Sequence, residues 1–186
     1  MFSFFLLTGI LIISLFFFLL GYNRAKNLIN LNQKNLHSLT HYYGIFCSLS
    51  ALLPTLGVFF IFTICDDLVF AELVKEYIPN EVINSKDYNF TIVLAQINNS
   101  VEGLIFGTPP QWVTNAAEIW KSWVIKSNIL TMIVCAITIL TSGFLSYKKI
   151  HSEFRSRNAV EKIVMTILGV SSVIAILTTI AIIFSV

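Results

Sequence analysis

The sequence predicts an all-α fold: an integral membrane protein with four transmembrane helices and a partly helical extracytoplasmic loop. Three observations carry this. Of the 186 residues 56% are hydrophobic and only 12% are charged, whereas a soluble domain is about 45–50% apolar and about 25% charged. The mean hydropathy is +0.80. Four stretches, Met1–Asn23, Tyr42–Cys65, Ser127–Tyr147 and Ile163–Val186, contain no Asp, Glu, Lys or Arg and run 21 to 24 residues each. About 20 apolar residues in a helix cross a hydrocarbon core of about 30 Å. Lipid offers no hydrogen-bond partners, so spans of this kind are helices. The same composition argues against a soluble enzyme, a disordered tail and a nucleic-acid-binding module.

The first stretch has no basic residue ahead of its apolar run, and that run, Phe2–Leu20, exceeds the ~7–15 residues of a signal-peptide core. Arg24 and Lys26 follow it. A retained anchor is expected, with cleavage the alternative. Made almost entirely of bulky Leu, Ile and Phe, this span is expected to face lipid or sit at the periphery. The second span carries Pro54 midway, which removes one backbone donor and predicts a kink; a hinge is the other reading. Cys47, Cys65 and Cys135 all fall within apolar stretches and read as small buried hydrophobes.

Charge sets the orientation. The connection Tyr22–His41 carries Arg24, Lys26 and Lys34 and no acid. Lys148–Lys162 carries five bases against Glu153 and Glu161. The long connection Asp66–Lys126 carries eight acids and four bases. Lys and Arg gather on cytoplasmic loops, so the first and third connections are expected inside, and the long one and both termini outside.

Within the long connection, Leu68, Val69, Leu73 and Tyr77 suit an amphipathic helix over Asp66–Ile78 lying along the membrane surface, ended by Pro79. Asn80–Asn99 reads as irregular, with a short apolar piece at Phe90–Leu94. Gly107-Thr-Pro-Pro is a second breaker, and Thr114–Lys126 reads as a helix running into the third span. Trp112, Trp120 and Trp123 stand just before that span and read as headgroup anchors, an aromatic cage being the other reading. Asn89-Phe-Thr and Asn98-Asn-Ser match the glycosylation sequon.

Candidate chemistry is sparse. His37 and His41 stand four apart, but two ligands without a carboxylate or thiol do not make a zinc site; a polar turn with Tyr42 and Tyr43 at headgroup depth is the plainer reading. Asp66 and Asp67 read as a solvated span terminus. No span holds a charge of the kind that marks ion or substrate pathways, and no phosphate-binding glycine loop or nucleophile motif is present. The expectation is a non-enzyme with no catalytic, cofactor or metal residues and no assignable substrate-binding residues. In the fourth span Ser171, Ala175 and Thr179 recur at spacing four, a small-residue stripe on which a partner helix can pack. Arg155 and Arg157 are the local candidates for contact with lipid phosphates or a partner subunit, beside a plain topology-setting role.

Two segments resemble a known family. Leu36-His-Ser-Leu-Thr-His-Tyr-Tyr-Gly44 with Ser50-Ala-Leu-Leu-Pro54 resembles the amino-terminal extension of proteobacterial phosphate ABC transporter permeases, the C subunit of the phosphate-specific system. Phe154-Arg-Ser-Arg-Asn-Ala-Val-Glu-Lys-Ile-Val164 with Ala175-Ile-Leu-Thr-Thr-Ile180 is similar to that family's approach to its first core helix. The resemblance implies a permease component in a bacterial inner membrane. Its implied partners, besides the bilayer, are a second permease subunit, an ABC ATPase and a periplasmic phosphate-binding protein, with no nucleic acid. It also implies a division into an N-terminal membrane extension, 1–147 (spans about 2–20, 43–65 and 127–147, outer loop 66–126), and a part, 148–186, holding the cytoplasmic basic loop and the first core helix. The family's coupling motif is not in this sequence, so the expected role is assembly or docking within a phosphate importer. The alternative is an independent four-helix membrane scaffold or sensor with a ligand- or protein-binding outer loop.

Overall fold

A computed structural model describes residues 2–32, 37–83, 89–104, 108–151 and 153–185 (side chains of 30–32 excepted). Among the described residues six α-helices follow one another: α1 (Phe2–Asn32), α2 (Thr40–Leu73), α3 (Asn80–Ile83), α4 (Phe90–Glu102), α5 (Gln111–Lys148) and α6 (Ser156–Ser185). No strand occurs among the described residues. Helices α1, α2, α5 and α6 are long and apolar enough to cross a membrane. Helices α1 and α2 run on past their charge-free stretches because no breaker follows at once, and α5 and α6 begin well ahead of theirs. Arg24, Ala25 and Lys26, for example, are good helix formers and carry α1 on to Asn32. Lys34, Leu36 and Gly107 lie outside the described residues.

The chain forms two compact units, one of Ser3–Thr55 with Ile137–Val186 and one of Leu56–Ala136. In the first, α1 packs by one stripe. Ile10, Ser14, Phe17 and Ala25 are buried, while Phe4, Phe5, Ile12 and Leu15 are uncovered. The first span is therefore one-sided rather than peripheral. Between helices in lipid, attraction comes from close packing and hydrogen bonds rather than from water release, and α1 uses both. A Cβ added at Gly21 would stand 2.8 Å from the Tyr43 carbonyl oxygen and 3.0 Å from Cys47 Sγ. Gly44 on α2 meets the Phe18 ring and carbonyl of α1 in the same way. The Ser14 and Ser48 hydroxyls hydrogen-bond at 2.8 Å. On the α5 side, the Phe17 ring fills the space that a Cβ at Gly143 would need. Helix α2 runs on through Pro54.

The second unit has a core of its own. It is built from Val74 and Ile78, from Val93 and Ile97 of α4, and from Val113, Ala116, Ala117 and Trp120 of α5. Phe70 meets Trp120 edge-on at 5.8 Å and Trp123 at 5.9 Å. The tryptophans are packing residues of this core: Trp120 is buried, with Trp112 and Trp123 packed against the cluster. Asp66–Ile78 is not a separate surface helix. With no breaker after Cys65, α2 continues to Leu73 and closes in a 3-10 turn, Val74–Tyr77. Ile78 then turns extended (φ −88°, ψ 125°), as the residue before a proline must. Asp66 accepts a hydrogen bond from the Ser127 hydroxyl, so this span terminus is not simply solvated.

The stretch expected to be irregular contains α4. Asn89 caps it, its side-chain oxygen accepting from the Thr91 N–H at 3.0 Å. Phe90, Val93, Leu94, Ile97 and Val101 fall at helical spacing on the face that meets the core. Gly103 ends it at φ +78°, and the Leu104 N–H returns to the Asn99 carbonyl at 2.8 Å. That left-handed cap is open to glycine at no steric cost. Cys47 and Cys135 are buried and Cys65 is exposed; all three are free thiols.

Two outcomes are expected. Asn89→Ala costs α4 about 1 kcal/mol of cap energy, read as about fivefold faster amide exchange at the start of α4, whereas Asn89→Asp, an equal cap, leaves it unchanged. Gly21→Val lowers the thermal midpoint in detergent by an overpacking cost of about 1–3 kcal/mol, while Gly9→Val, at a position with nothing within 4 Å of an added Cβ, does not.

Candidate functional site

In the first unit polar side chains of α1 and α2 meet the basic connection between α5 and α6. Local hydrogen bonds fold this connection tightly: Ile150 N–H to the Tyr147 carbonyl at 3.3 Å, Phe154 N–H to the His151 carbonyl at 3.1 Å, and Ser156 N–H to the Phe154 carbonyl at 3.1 Å. The ends of α1 and α2 then hold it. Arg24 of α1 donates from Nε to the Ile150 carbonyl at 3.2 Å, and its guanidinium lies 4.3 Å from the centroid of the Tyr147 ring. Tyr43 of α2, fully buried, donates its hydroxyl to the Phe154 carbonyl at 2.8 Å. The Phe46 and Phe154 rings meet at 4.8 Å. The Ser38 hydroxyl accepts the Arg157 N–H at 3.3 Å, which satisfies one of the unpaired donors at the start of α6.

Each contact follows from residue chemistry. A guanidinium can stack on an aromatic ring and still donate along its edge. A phenol can bury its ring and spend its hydroxyl on a carbonyl that the loop leaves open. Tyr43 lies inside the seat, buried against the rest of the unit. His37 precedes α2 in a bend, so the helical spacing that would align it with His41 does not hold. His41 instead packs edge-on against Phe18 and Tyr22. Among the described residues no three His, Cys, Asp or Glu converge as a metal site would need.

The seat leads into α6. Ser156 and Val160 are buried, and from Val164 to Ser185 every residue of α6 is exposed. An apolar cleft of about 440 Å³ lies between α2 and the start of α6, lined by Phe46, Leu53, Ala159, Lys162, Ile163, Thr166 and Ile167. Of the residues singled out in the sequence, Arg155 and Arg157 are exposed at the start of α6. Arg157 pairs with Glu161 at 2.7 Å, an exposed i,i+4 pair of small energetic weight. Ser171, Ala175 and Thr179 stand on the uncovered length of α6, with Thr179 returning its hydroxyl to the Ala175 carbonyl at 2.8 Å.

Arg24, Ser38 and Tyr43 were not legible as site residues. In the sequence Arg24 is one basic residue among several that set topology, and only the fold brings it beside Ile150, 126 positions away.

A family model described as "Phosphate ATP-binding cassette transporter" matches residues 7–178. No curated protein and no solved structure matches the chain.

The seat yields a measurable expectation. Arg24→Ala removes a charged hydrogen bond and a ring contact, together worth about 1.5–3 kcal/mol, and raises the trypsin cleavage rate after Lys149 and Arg155 at least tenfold. Arg24→Lys, which keeps the charge but loses the planar fork, does not restore the native rate.

Proposed function

The chain belongs to the phosphate ATP-binding cassette transporter family, and from that premise we propose that it is the amino-terminal, membrane-spanning permease component of an ABC-type phosphate importer, acting in assembly or docking rather than as the complete pathway. One observation carries the reading. Every residue of helix α6 from Val164 to Ser185 is exposed, with Thr166 and Ile167 the last of them to share a cleft with α2, and packing against further helices would cover the apolar length beyond. In this reading residues 1–147 are the membrane extension, and 148–186 hold the basic loop and the first core helix. Ser171, Ala175 and Thr179 are its contact stripe. The partners are a second permease subunit, an ABC ATPase and a periplasmic phosphate-binding protein. The protein is multi-pass, and the proposed membrane is the bacterial inner membrane with both termini extracytoplasmic. Support for that orientation comes from the contacts that join Ser38 to Arg157 and Arg24 to Ile150: they bring the two basic connections to one end of the first unit.

A second reading, an independent four-helix scaffold or sensor, draws on one feature of the other unit. Beside its core lies a cleft of about 280 Å³ with Gln96, Asn99, Ser100 and Thr108 in its lining, of a size for a small polar ligand.

Purification of the tagged protein in mild detergent is expected to bring down the importer's other permease and its ATPase, and deletion is expected to impair phosphate uptake. A partnerless monomer with uptake unchanged would overturn the importer reading and leave the scaffold. Cysteines placed at Lys26 and Arg157 are expected to react with impermeant reagents only after the inner membrane is breached, and one at Glu81 without breaching it.

A further inference from the structure

The cleft between α2 and α6 combines apolar walls with a charge at its edge. Its walls are apolar: Phe46 and Leu53 on one side, Ile163 and Ile167 on the other, with Ala159 leaving room between them. The one hydroxyl in the lining, that of Thr166, donates to the Lys162 carbonyl at 2.9 Å, and the Lys162 ammonium is the one charged group of the lining. Its charge is unspent. Lys162 makes no ion pair among the described residues, nor does Arg155, and the neighbouring acid Glu161 is already taken by Arg157. Arg155 precedes Ala159 and Lys162 by four and seven residues, the spacing of one helix face, and the Ala159 N–H to Arg155 carbonyl bond at 3.3 Å places it in that helical register.

We propose that this cleft holds an acyl chain of an anionic phospholipid whose phosphate is met by Lys162, with Arg155 adding charge on the same face. A lysine stem lies along apolar surface while its ammonium reaches the polar layer, which is the geometry a lipid phosphate needs. Basic pockets between helices are where anionic headgroups bind. The lipid would fill the wedge left between α2 and the seated start of α6. This inference is independent of the importer reading.

The test is native mass spectrometry of the full chain in mild detergent, with phosphatidylglycerol and phosphatidylcholine of identical acyl chains. Preferential retention of phosphatidylglycerol is expected. Lys162→Gln should weaken it about fivefold, the worth of one basic residue near anionic lipid. Ile163→Trp, which fills the cleft without changing charge, should weaken retention of either lipid. Lys149→Gln, an equal loss of charge outside the cleft, should leave it as it was. Equal retention of the two lipids by the unaltered chain would overturn the proposal. So would equal weakening by Lys149→Gln and Lys162→Gln, which means general surface attraction, or indifference to Ile163→Trp. Disulfide cross-linking between two copies through a cysteine at Thr166 would give the face to a second protein chain instead.

Discussion

The close approach of α1 and α2 at Gly21 and Gly44 is the contact on which the first unit is organised. In hydrocarbon a leucine gains nothing by leaving lipid for another leucine, so helices are joined by whatever lets backbones come near and by hydrogen bonds that lipid cannot supply. Each glycine presents its backbone to a backbone oxygen and a side chain of the other helix, a fit that any Cβ would force apart. The serine pair Ser14–Ser48 lies one or two turns along the same crossing, and Phe17 reaches Gly143 of α5 from the adjoining face. That crossing brings Arg24 and Tyr43 to the loop that they hold.

The seat around that loop explains how the start of α6 is fixed while most of the helix stays bare. Its anchors are short-range and polar: a guanidinium on a carbonyl and a ring, a phenol on a carbonyl, a serine on a helix-start N–H. They act on 150–157 and reach no further. Beyond Ile167, the last residue of α6 in the cleft with α2, α6 has only its own hydrogen bonds and whatever surrounds it. A helix that is apolar all round and uncovered by its own chain has lipid or other helices as its environment.

The second unit follows a different rule. Its core of Val, Ile, Ala and Trp is assembled from positions at i, i+3, i+4 and i+7 of α5 and i and i+4 of α4, the stripe that water imposes on a half-buried helix. From Asn89 on, the polar residues that make the stretch look irregular in sequence are Gln96, Asn98 and Asn99 on the exposed face of α4 together with its cap. Asparagine in a helix interior is a weak helix former, yet at the cap it is among the best. Composition averages the two roles, and only the register separates them.

The sequence by itself determined the four apolar helices, a partly helical long connection with its break at Pro79, and the basic character of the two short connections. These follow from hydropathy, backbone satisfaction and charge, which are sums over neighbours in the chain. It also held the family resemblance, in its motifs. Only the tertiary structure decided which face of α1 is packed, that the tryptophans form a core, that Tyr43 and Arg24 hold a loop more than a hundred residues away, and that α6 has a cleft at its start and no cover after it. Those depend on distances between residues far apart in the chain. A one-dimensional pattern can show that a tyrosine or an arginine stands near a span end, but not what stands opposite it.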